Sequence, residues 1–120
     1  MTWNVVPTMI IVIMAKKQPF ALVYADEVKR HLRAIETKYH SLIQSEIESQ
    51  LLFEPERETR NRKPLQRPIS FGAQWELRFG PDNRFRVFYQ VTAESREVRI
   101  VAVGVKDRNC LFIGEEEVEG

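Results

Sequence analysis

The feature that most constrains this chain is an alternation of apolar and polar residues in its second half. The alternation runs through 75–79 and, after a turn at 80–83, through 85–91. Because successive side chains of a strand point to opposite faces, a period of two predicts a hairpin with one buried face. A third alternating segment at 98–105 extends the hairpin to an antiparallel meander, and 111–113 is the predicted last strand.

Two helical patterns precede the meander and follow a short apolar run at 20–24, the predicted first strand. After Asp26, which we expect to cap the first helix, apolar residues recur at i, i+4 and i+7. Ser41 and Gln44 have the spacing of a capping box for a second helix, which Pro55 must end. The apolar residues of the two helices are Val28, Leu32, Ile35, Ile43, Ile47 and Leu51.

The order of these elements, β-α-α-β-β-β, predicts an α+β fold in which a helical hairpin packs on one face of a small antiparallel sheet. With 120 residues the chain has room for one core, so 20–120 is predicted to form a single domain. Residues 1–19 are expected to be a leader outside that core. The open alternative is that the branched residues at 9–14 add an edge strand or seal a homodimer.

Composition excludes several classes of function. Eighteen basic against seventeen acidic residues leave a net charge of +1, which excludes a uniformly basic nucleic-acid binder. One cysteine and two histidines far from it do not have the spacing of a zinc site, so we expect a cytoplasmic protein without metal or other cofactor. The longest apolar run, at 9–15, is far shorter than the roughly 20 residues that span a bilayer, so no membrane span is expected.

Local charge is unbalanced in the middle of the chain. Between Arg57 and Arg86 eight residues are basic and three are acidic. Such an excess is typical of a phosphate-binding surface, and the alternative is a solvated loop face. Residues 54–72 contain three prolines and no period, which predicts a tethered loop. The eight basic residues are Arg57, Arg60, Arg62, Lys63, Arg67, Arg78, Arg84 and Arg86.

An arginine pair follows from the predicted hairpin register. If Phe79 pairs with Phe85, Arg78 lies directly opposite Arg86 on the face away from the core. Like charges in that position destabilise a sheet unless they splay into water or bind an anion, and a phosphate suits the planar donor fork of arginine. Further cations are expected around this pair: Lys106 and Arg108 at the end of the third strand, and Arg60, Arg62 and Lys63 as one wall. The alternative is that these arginines only prevent edge aggregation.

Cleavage of RNA without a metal needs a base for the 2′-hydroxyl, an acid for the leaving oxygen and cations that stabilise the charge on phosphorus. The cations are present, but acids and bases are scarce. His31 and His40 are expected at the surface of the helical region, and Tyr89 alternates with the core residues. Lys106 is a base candidate only if neighbouring cations or burial strongly destabilise its charge.

Five short blocks, in order, resemble the RelE/ParE superfamily of toxins from bacterial toxin-antitoxin pairs, and in particular a RelE-like subgroup. The blocks are ETRNRKPL at 58–65, WELR at 75–78, FRVFY at 85–89, VAVGVK at 101–106 and IGEEEV at 113–118. The resemblance extends from Phe20 to Val118 and leaves the leader outside it. The fold that it implies, a small antiparallel sheet backed by a helical hairpin, agrees with the element order above.

The resemblance also implies a function. In the RelE branch it implies the toxin of a type II toxin-antitoxin system, an mRNA interferase that cuts messenger RNA in the ribosomal A site. A cognate antitoxin holds such a toxin inactive. In the ParE branch the target is DNA gyrase, so a toxin that is not a nuclease, or a degenerate binding domain, is the alternative.

Site residues are carried over position by position. Arg86 matches the family arginine that contacts the scissile phosphate, and Lys106 matches a basic position near the C-terminus. With Arg78, these are the predicted catalytic residues. The predicted RNA contacts are Arg60, Arg62, Lys63 and Arg108. The chain departs from the family pattern at three positions: lysines are replaced by Gln74 and Glu76, and a tyrosine by Phe112.

Overall fold

A computed structural model describes residues 18–66 and 72–118 of the chain. These ranges contain seven strands and two α-helices. In chain order they are β1 (Ala21–Tyr24), α1 (Glu27–Arg33), α2 (His40–Leu51), β2 (Arg62–Pro64), β3 (Trp75–Phe79), β4 (Phe85–Thr92), β5 (Glu97–Asp107), β6 (Cys110–Ile113) and β7 (Glu116–Val118). The expectations for residues 1–17, including the edge strand at 9–14, lie outside the described residues.

All seven strands form one sheet, in the order β2-β3-β4-β5-β6-β7, and neighbours along this path are antiparallel. The first strand joins separately. It pairs in parallel with the beginning of β5, from Glu97 to Ile100, whereas β6 pairs with the end of β5, from Gly104 to Asp107. The predicted α+β fold is therefore confirmed, with the difference that β1 runs parallel to its partner, a direction that alternation of residues does not specify.

Both helices cover the same face of the sheet. Ile43, Ile47 and Leu51 lie at i, i+4 and i+8 of α2 and are at most 2% exposed. They belong to one apolar cluster with alternate residues of β3 and β4, such as Leu77 and Val87. Full burial of each such side chain contributes about 1.5–3 kcal/mol, so this amphipathic contact orders the helices on the sheet.

The helix starts differ from the prediction. Asp26 already has helical backbone angles, and its side chain makes no capping hydrogen bond in the described part of the chain. Ser41 lies inside α2, and Gln44 donates to Glu48 rather than closing a capping box. His40 instead joins the helices, since its Nε2 lies 2.8 Å from the carbonyl oxygen of Leu32 and 2.9 Å from that of Ile35. A side chain from α2 therefore binds carbonyls at the C-terminal end of α1.

Two short strands were not predicted. Residues 54–72 were expected to form a loop, but β2 pairs with β3 through Arg62–Leu77, Lys63–Glu76 and Pro64–Trp75. Three residues are too few to show a period, and Pro64 is tolerated because β2 is an edge strand in which one N–H can be absent. The last strand, β7, pairs with β6 and has three residues as well.

The predicted hairpin register is confirmed: Phe79 pairs with Phe85, Arg78 with Arg86, and Gln90 with Arg99. Beyond Phe88 the register of β4 and β5 shifts, because Phe88 pairs with Ala102 whereas Tyr89 pairs with Ile100. Val101 is thus an extra residue, a β-bulge.

The bulge changes which residues of β5 face the helices. Val98 and Ile100 before it and Val103 after it all belong to the cluster under the helices. Strict alternation from Val98 would have put Lys106 on that buried face. The extra residue moves Lys106 to the opposite face of the sheet, the open face, which the helices do not cover.

Candidate active site

The open face of the sheet carries the predicted arginine pair beside an apolar floor. Arg78 on β3 and Arg86 on β4 are direct cross-strand partners. Next to them lies a second buried apolar cluster, separate from the one under the helices. Its members are Ala73, Phe88, Val101, Ala102 and Ile113, with Leu65, Leu111 and Val118 packed against them.

Glu76 lies between the two arginines. Its Oε1 accepts a hydrogen bond from Nε of Arg78 at 2.5 Å, and its Oε2 lies 3.4 Å from Nη1 of Arg86. The side chains of Glu76 and Arg86 are each 9% exposed, whereas that of Arg78 is 40% exposed. We call these three residues the arginine-glutamate cluster. The repulsion expected between the arginines is therefore relieved by a carboxylate of the chain itself, and the cluster keeps one net positive charge.

Arg86 is the most constrained member of the cluster. Its Nε donates to the backbone carbonyl of Asn83 at 2.9 Å, in the turn between β3 and β4. Burial lowers the pKa of Arg86 from its usual value, Glu76 opposes this by favouring the cation, and Arg78 adds to the lowering. Arginine nevertheless remains charged in proteins, so the cluster presents a fixed cation held by two contacts.

Lys106 lies on the same face, near the end of β5. Gly104 is the β5 partner of Arg86, and Lys106 follows two residues later, so its exposed side chain points to the same side as the arginine pair. Its backbone N–H donates to the carbonyl of Arg84 at 2.7 Å.

A side chain at Gly104 would collide with β6, because a Cβ there would lie 2.8 Å from the carbonyl oxygen of Phe112.

Three of the four predicted RNA contacts are accessible. Lys63 pairs with Glu76 across β2 and β3, faces the open side, and has its Nζ 3.5 Å from an Oε of Glu58. Arg60 is exposed in the loop before β2, and Arg108 is exposed in the turn between β5 and β6. Arg60 and Lys63 thus lie at the β2 edge of the sheet, and Arg108 lies at the end of β5, beyond Lys106.

Arg62 does not face the candidate site, although it was predicted to. It is 8% exposed, and its Nη1 donates to the carbonyl oxygen of Gln50 near the end of α2. The reason is the alternation of β2, which sends Lys63 to the open face and its neighbour to the helices. Arg62 is thus placed to stabilise the C-terminal end of a helix rather than to contact RNA.

His31 is buried and His40 is half-buried, whereas both were expected at the surface. His31 is 1% exposed, and its Nδ1 lies 3.3 Å from the backbone nitrogen of Val103. Burial lowers the pKa of His31, Arg30 adds to this, and Glu27 opposes it. His40 binds the end of α1, as described above. Both histidines are on the helix side of the sheet, so neither reaches the arginine-glutamate cluster.

Tyr89 is buried as predicted and is also on the helix side. Its hydroxyl donates to the carbonyl oxygen of Pro55 at 2.7 Å. Burial raises the pKa of Tyr89 strongly; Arg62 acts in the opposite direction, and Glu56 adds a smaller increase. A hydroxyl that is held by a carbonyl beneath the helices takes no part in chemistry on the open face.

The three departures from the family pattern have different consequences. Gln74 is exposed and accepts a hydrogen bond from the backbone N–H of Val91 at 3.1 Å. Phe112 pairs with Val105 and lies on the helix side, where it lines a cavity of about 300 Å³ together with Tyr39. By sequence Glu76 is only the replacement of a family lysine, yet in the structure it contacts both arginines of the cluster. Its position two residues before Arg78, on the same face of one strand, was the signal in the sequence.

Within 18–66 and 72–118, no group of three or more His, Cys, Asp or Glu side chains is arranged to hold a metal ion. No helix in those ranges is long and apolar enough to cross a membrane.

The fold is similar to that of a chain in the crystal structure of the toxin-antitoxin complex RelBE2 from Mycobacterium tuberculosis. The superposition has a TM-score of 0.56 at 20% sequence identity, and it covers 73% of this chain and 99% of the other. At this identity the likeness shows a shared fold, and it confirms the expected architecture of a small antiparallel sheet with a helical hairpin on one face. No family model matches the chain, and no curated protein matches its sequence.

Proposed function

We propose that this chain is the toxin of a type II toxin-antitoxin system and cuts messenger RNA on the ribosome without a metal. The observation that carries the proposal is the arginine-glutamate cluster on the open face. The fold shared with a chain of a toxin-antitoxin complex supports the proposal by analogy, while the site itself carries it.

The charges of the open face suit a polynucleotide. Arg78 supplies an accessible guanidinium, Arg86 a buried one, and Lys63 and Lys106 extend the positive surface to either side. Guanidinium groups form paired hydrogen bonds with phosphate oxygens, and lysines add point charges for neighbouring phosphates. Because the chain has a net charge of only +1, its attraction for RNA is local to this face.

The proposed reaction assigns a role to each group. Arg78 and Arg86 stabilise the negative charge that builds on phosphorus when the 2′-oxygen attacks. Glu76, which contacts both arginines, accepts the 2′-hydroxyl proton, and Lys106 gives a proton to the leaving 5′-oxygen. The products are a 2′,3′-cyclic phosphate and a 5′-hydroxyl, and solvent water returns the proton from Glu76 to Lys106 before the next turnover. Glu76 replaces the histidines and tyrosine that the structure places on the helix side.

The proposed inhibitor is a cognate antitoxin, whose acidic or amphipathic segment covers or distorts the open face. The RelBE2 structure, which contains a toxin and its antitoxin, supports a partner of this kind. The ribosome and its messenger RNA are the proposed targets, which places the activity in the cytoplasm.

A second candidate is a toxin that binds its target without cutting RNA, such as a gyrase inhibitor of the ParE type, or a catalytically degenerate binding domain. The observation that favours it is the same Glu76, because its carboxylate cancels one of the two arginine charges where the family pattern has a lysine. Phe112, whose ring lies on the helix side, favours it as well.

The test is induced expression of the full chain, with growth curves and primer-extension mapping of messenger RNA. The Arg78→Ala, Arg86→Ala variant is compared with Lys29→Ala, Arg33→Ala, which removes the same charge from exposed positions of α1. Growth arrest with in-frame cuts that only the first variant loses supports the nuclease. Arrest without cuts supports a toxin that is not a nuclease, and growth without arrest contradicts both kinds of toxin and supports the degenerate binding domain.

A further inference from the structure

Glu76 accepts hydrogen bonds from the same guanidinium groups that a substrate phosphate would bind. Each of its oxygens faces one arginine, so the carboxylate lies between the two guanidinium groups where an anion bridging them would lie. A carboxylate and a phosphodiester both offer paired oxygen acceptors with one negative charge. The two anions therefore compete for the same pair of cations.

The cluster is not saturated by this contact. Among residues 18–66 and 72–118, Nη1 and Nη2 of Arg78 and Nη2 of Arg86 have no hydrogen-bond partner. Arg78 is the exposed member, so an incoming phosphate meets its terminal nitrogens first. The cluster therefore attracts a phosphate with two positive charges that are partly cancelled by the one negative charge of Glu76.

We propose that Glu76 is an internal competitor that makes the site select phosphates within a polynucleotide over isolated ones. The proposal rests on the proposed function, since it takes the cluster as the RNA site. An isolated phosphate is attracted only by the net positive charge that remains on the cluster. A polynucleotide adds contacts of its neighbouring phosphates with Lys63 and Lys106, which Glu76 does not oppose directly.

The burial of Glu76 makes this competition strong. Its side chain is as buried as that of Arg86, so its interaction with the cluster is screened little by water or salt. Glu58, which pairs with Lys63 at 3.5 Å, has a side chain that is 58% exposed. Glu58→Gln changes the net charge of the protein by the same amount as Glu76→Gln does, but at a position that water and salt screen. It is therefore the matched control.

The experiment measures two affinities of purified full-length protein: for inorganic phosphate by calorimetry, and for a short 2′-O-methyl RNA oligonucleotide by fluorescence anisotropy. The oligonucleotide lacks the attacking hydroxyl, so binding is separated from cleavage. We expect Glu76→Gln to bind inorganic phosphate tighter by on the order of tenfold, and the oligonucleotide by a smaller factor. Glu58→Gln should leave phosphate affinity unchanged.

The proposal is overturned if Glu76→Gln binds phosphate no tighter than Glu58→Gln does. It is also overturned if Glu76→Gln tightens the binding of phosphate and of the oligonucleotide by the same factor, because the selection would then not depend on Glu76. Should the glutamine variant fail to fold, Glu76→Asp retains the charge but withdraws it from the arginines. It should then bind phosphate more tightly than the unsubstituted protein, and an equal or weaker affinity also overturns the proposal.

A third variant separates this proposal from the proposed function. If Arg78→Ala, Arg86→Ala binds the oligonucleotide as well as the unsubstituted protein does, the cluster is not the RNA site and both proposals fail. If oligonucleotide binding depends on the arginines but phosphate affinity is insensitive to Glu76, the competition alone is rejected.

Discussion

Arg78 and Arg86 lie directly opposite each other on adjacent strands, and one carboxylate, that of Glu76, contacts both. A cross-strand pair of like charges is ordinarily destabilising. Here the carboxylate converts the pair into a compact cluster with one net positive charge. The stability of the sheet and the proposed binding of phosphate therefore depend on the same three side chains, and they respond to substitution in opposite directions.

Substitution of Glu76 should show this opposition in the fold itself. Glu76→Gln leaves two guanidinium groups facing each other without a counter-charge, and we expect the free energy of unfolding to fall by about 1–3 kcal/mol. Urea denaturation measures the loss. Glu58→Gln, which breaks an exposed ion pair, should cost less than about 1 kcal/mol. Equal effects of the two substitutions would show that the cluster does not stabilise the sheet.

Acid should destabilise the protein through His31. Burial lowers its pKa in the folded state, so the unfolded chain binds a proton more readily. The contribution of neutral His31 is complete above the unfolded pKa of about 6.5 and is lost as the pH falls from there toward the lower folded value. We expect His31→Asn, which keeps an acceptor for Val103, to lose less stability than the unsubstituted protein between about pH 7 and pH 5. Urea titrations at both pH values measure this, and parallel losses would contradict it.

Two adjacent basic residues of β2 should have different roles. Arg62→Met removes a donor from the carbonyl of Gln50 and should lower the free energy of unfolding by about 1–3 kcal/mol without changing RNA affinity. Lys63→Met, on the open face, should change stability little. It should also weaken the salt dependence of RNA binding: the negative slope of log K against log salt concentration should become shallower by about 0.7. The reverse assignment of effects would place the RNA surface on the helix side.

The sequence was sufficient to predict the hairpin and hence the arginine pair, because a period of two and one turn determine which residues face each other. Phe79–Phe85 and Arg78–Arg86 follow directly from that register. It was not sufficient for Glu76, since the pattern shows which face a side chain is on but not which of its neighbours it contacts.

Other features depended on packing that no local pattern reports. The bulge at Val101 decides that Lys106 lies on the same face of the sheet as Arg86, and only the pairing with β4 reveals the bulge. His31 belongs to the charged stripe of α1 by sequence, yet α1 packs closely enough on β5 to bury it. Arg62 appeared equivalent to Lys63 because β2 was too short to be predicted as a strand.

The arginine-glutamate cluster is proposed to cut messenger RNA on the ribosome. This is measured most directly by the single-turnover rate at which the purified protein cleaves ribosome-bound messenger RNA. The variants Arg86→Ala and Arg33→Ala are compared after circular dichroism has shown that both are folded. We predict that Arg86→Ala lowers the rate by roughly 100-fold or more, because a group that stabilises the transition-state charge is lost, and that Arg33→Ala leaves it unchanged. Cleavage by Arg86→Ala at the rate of the unsubstituted protein would contradict the account.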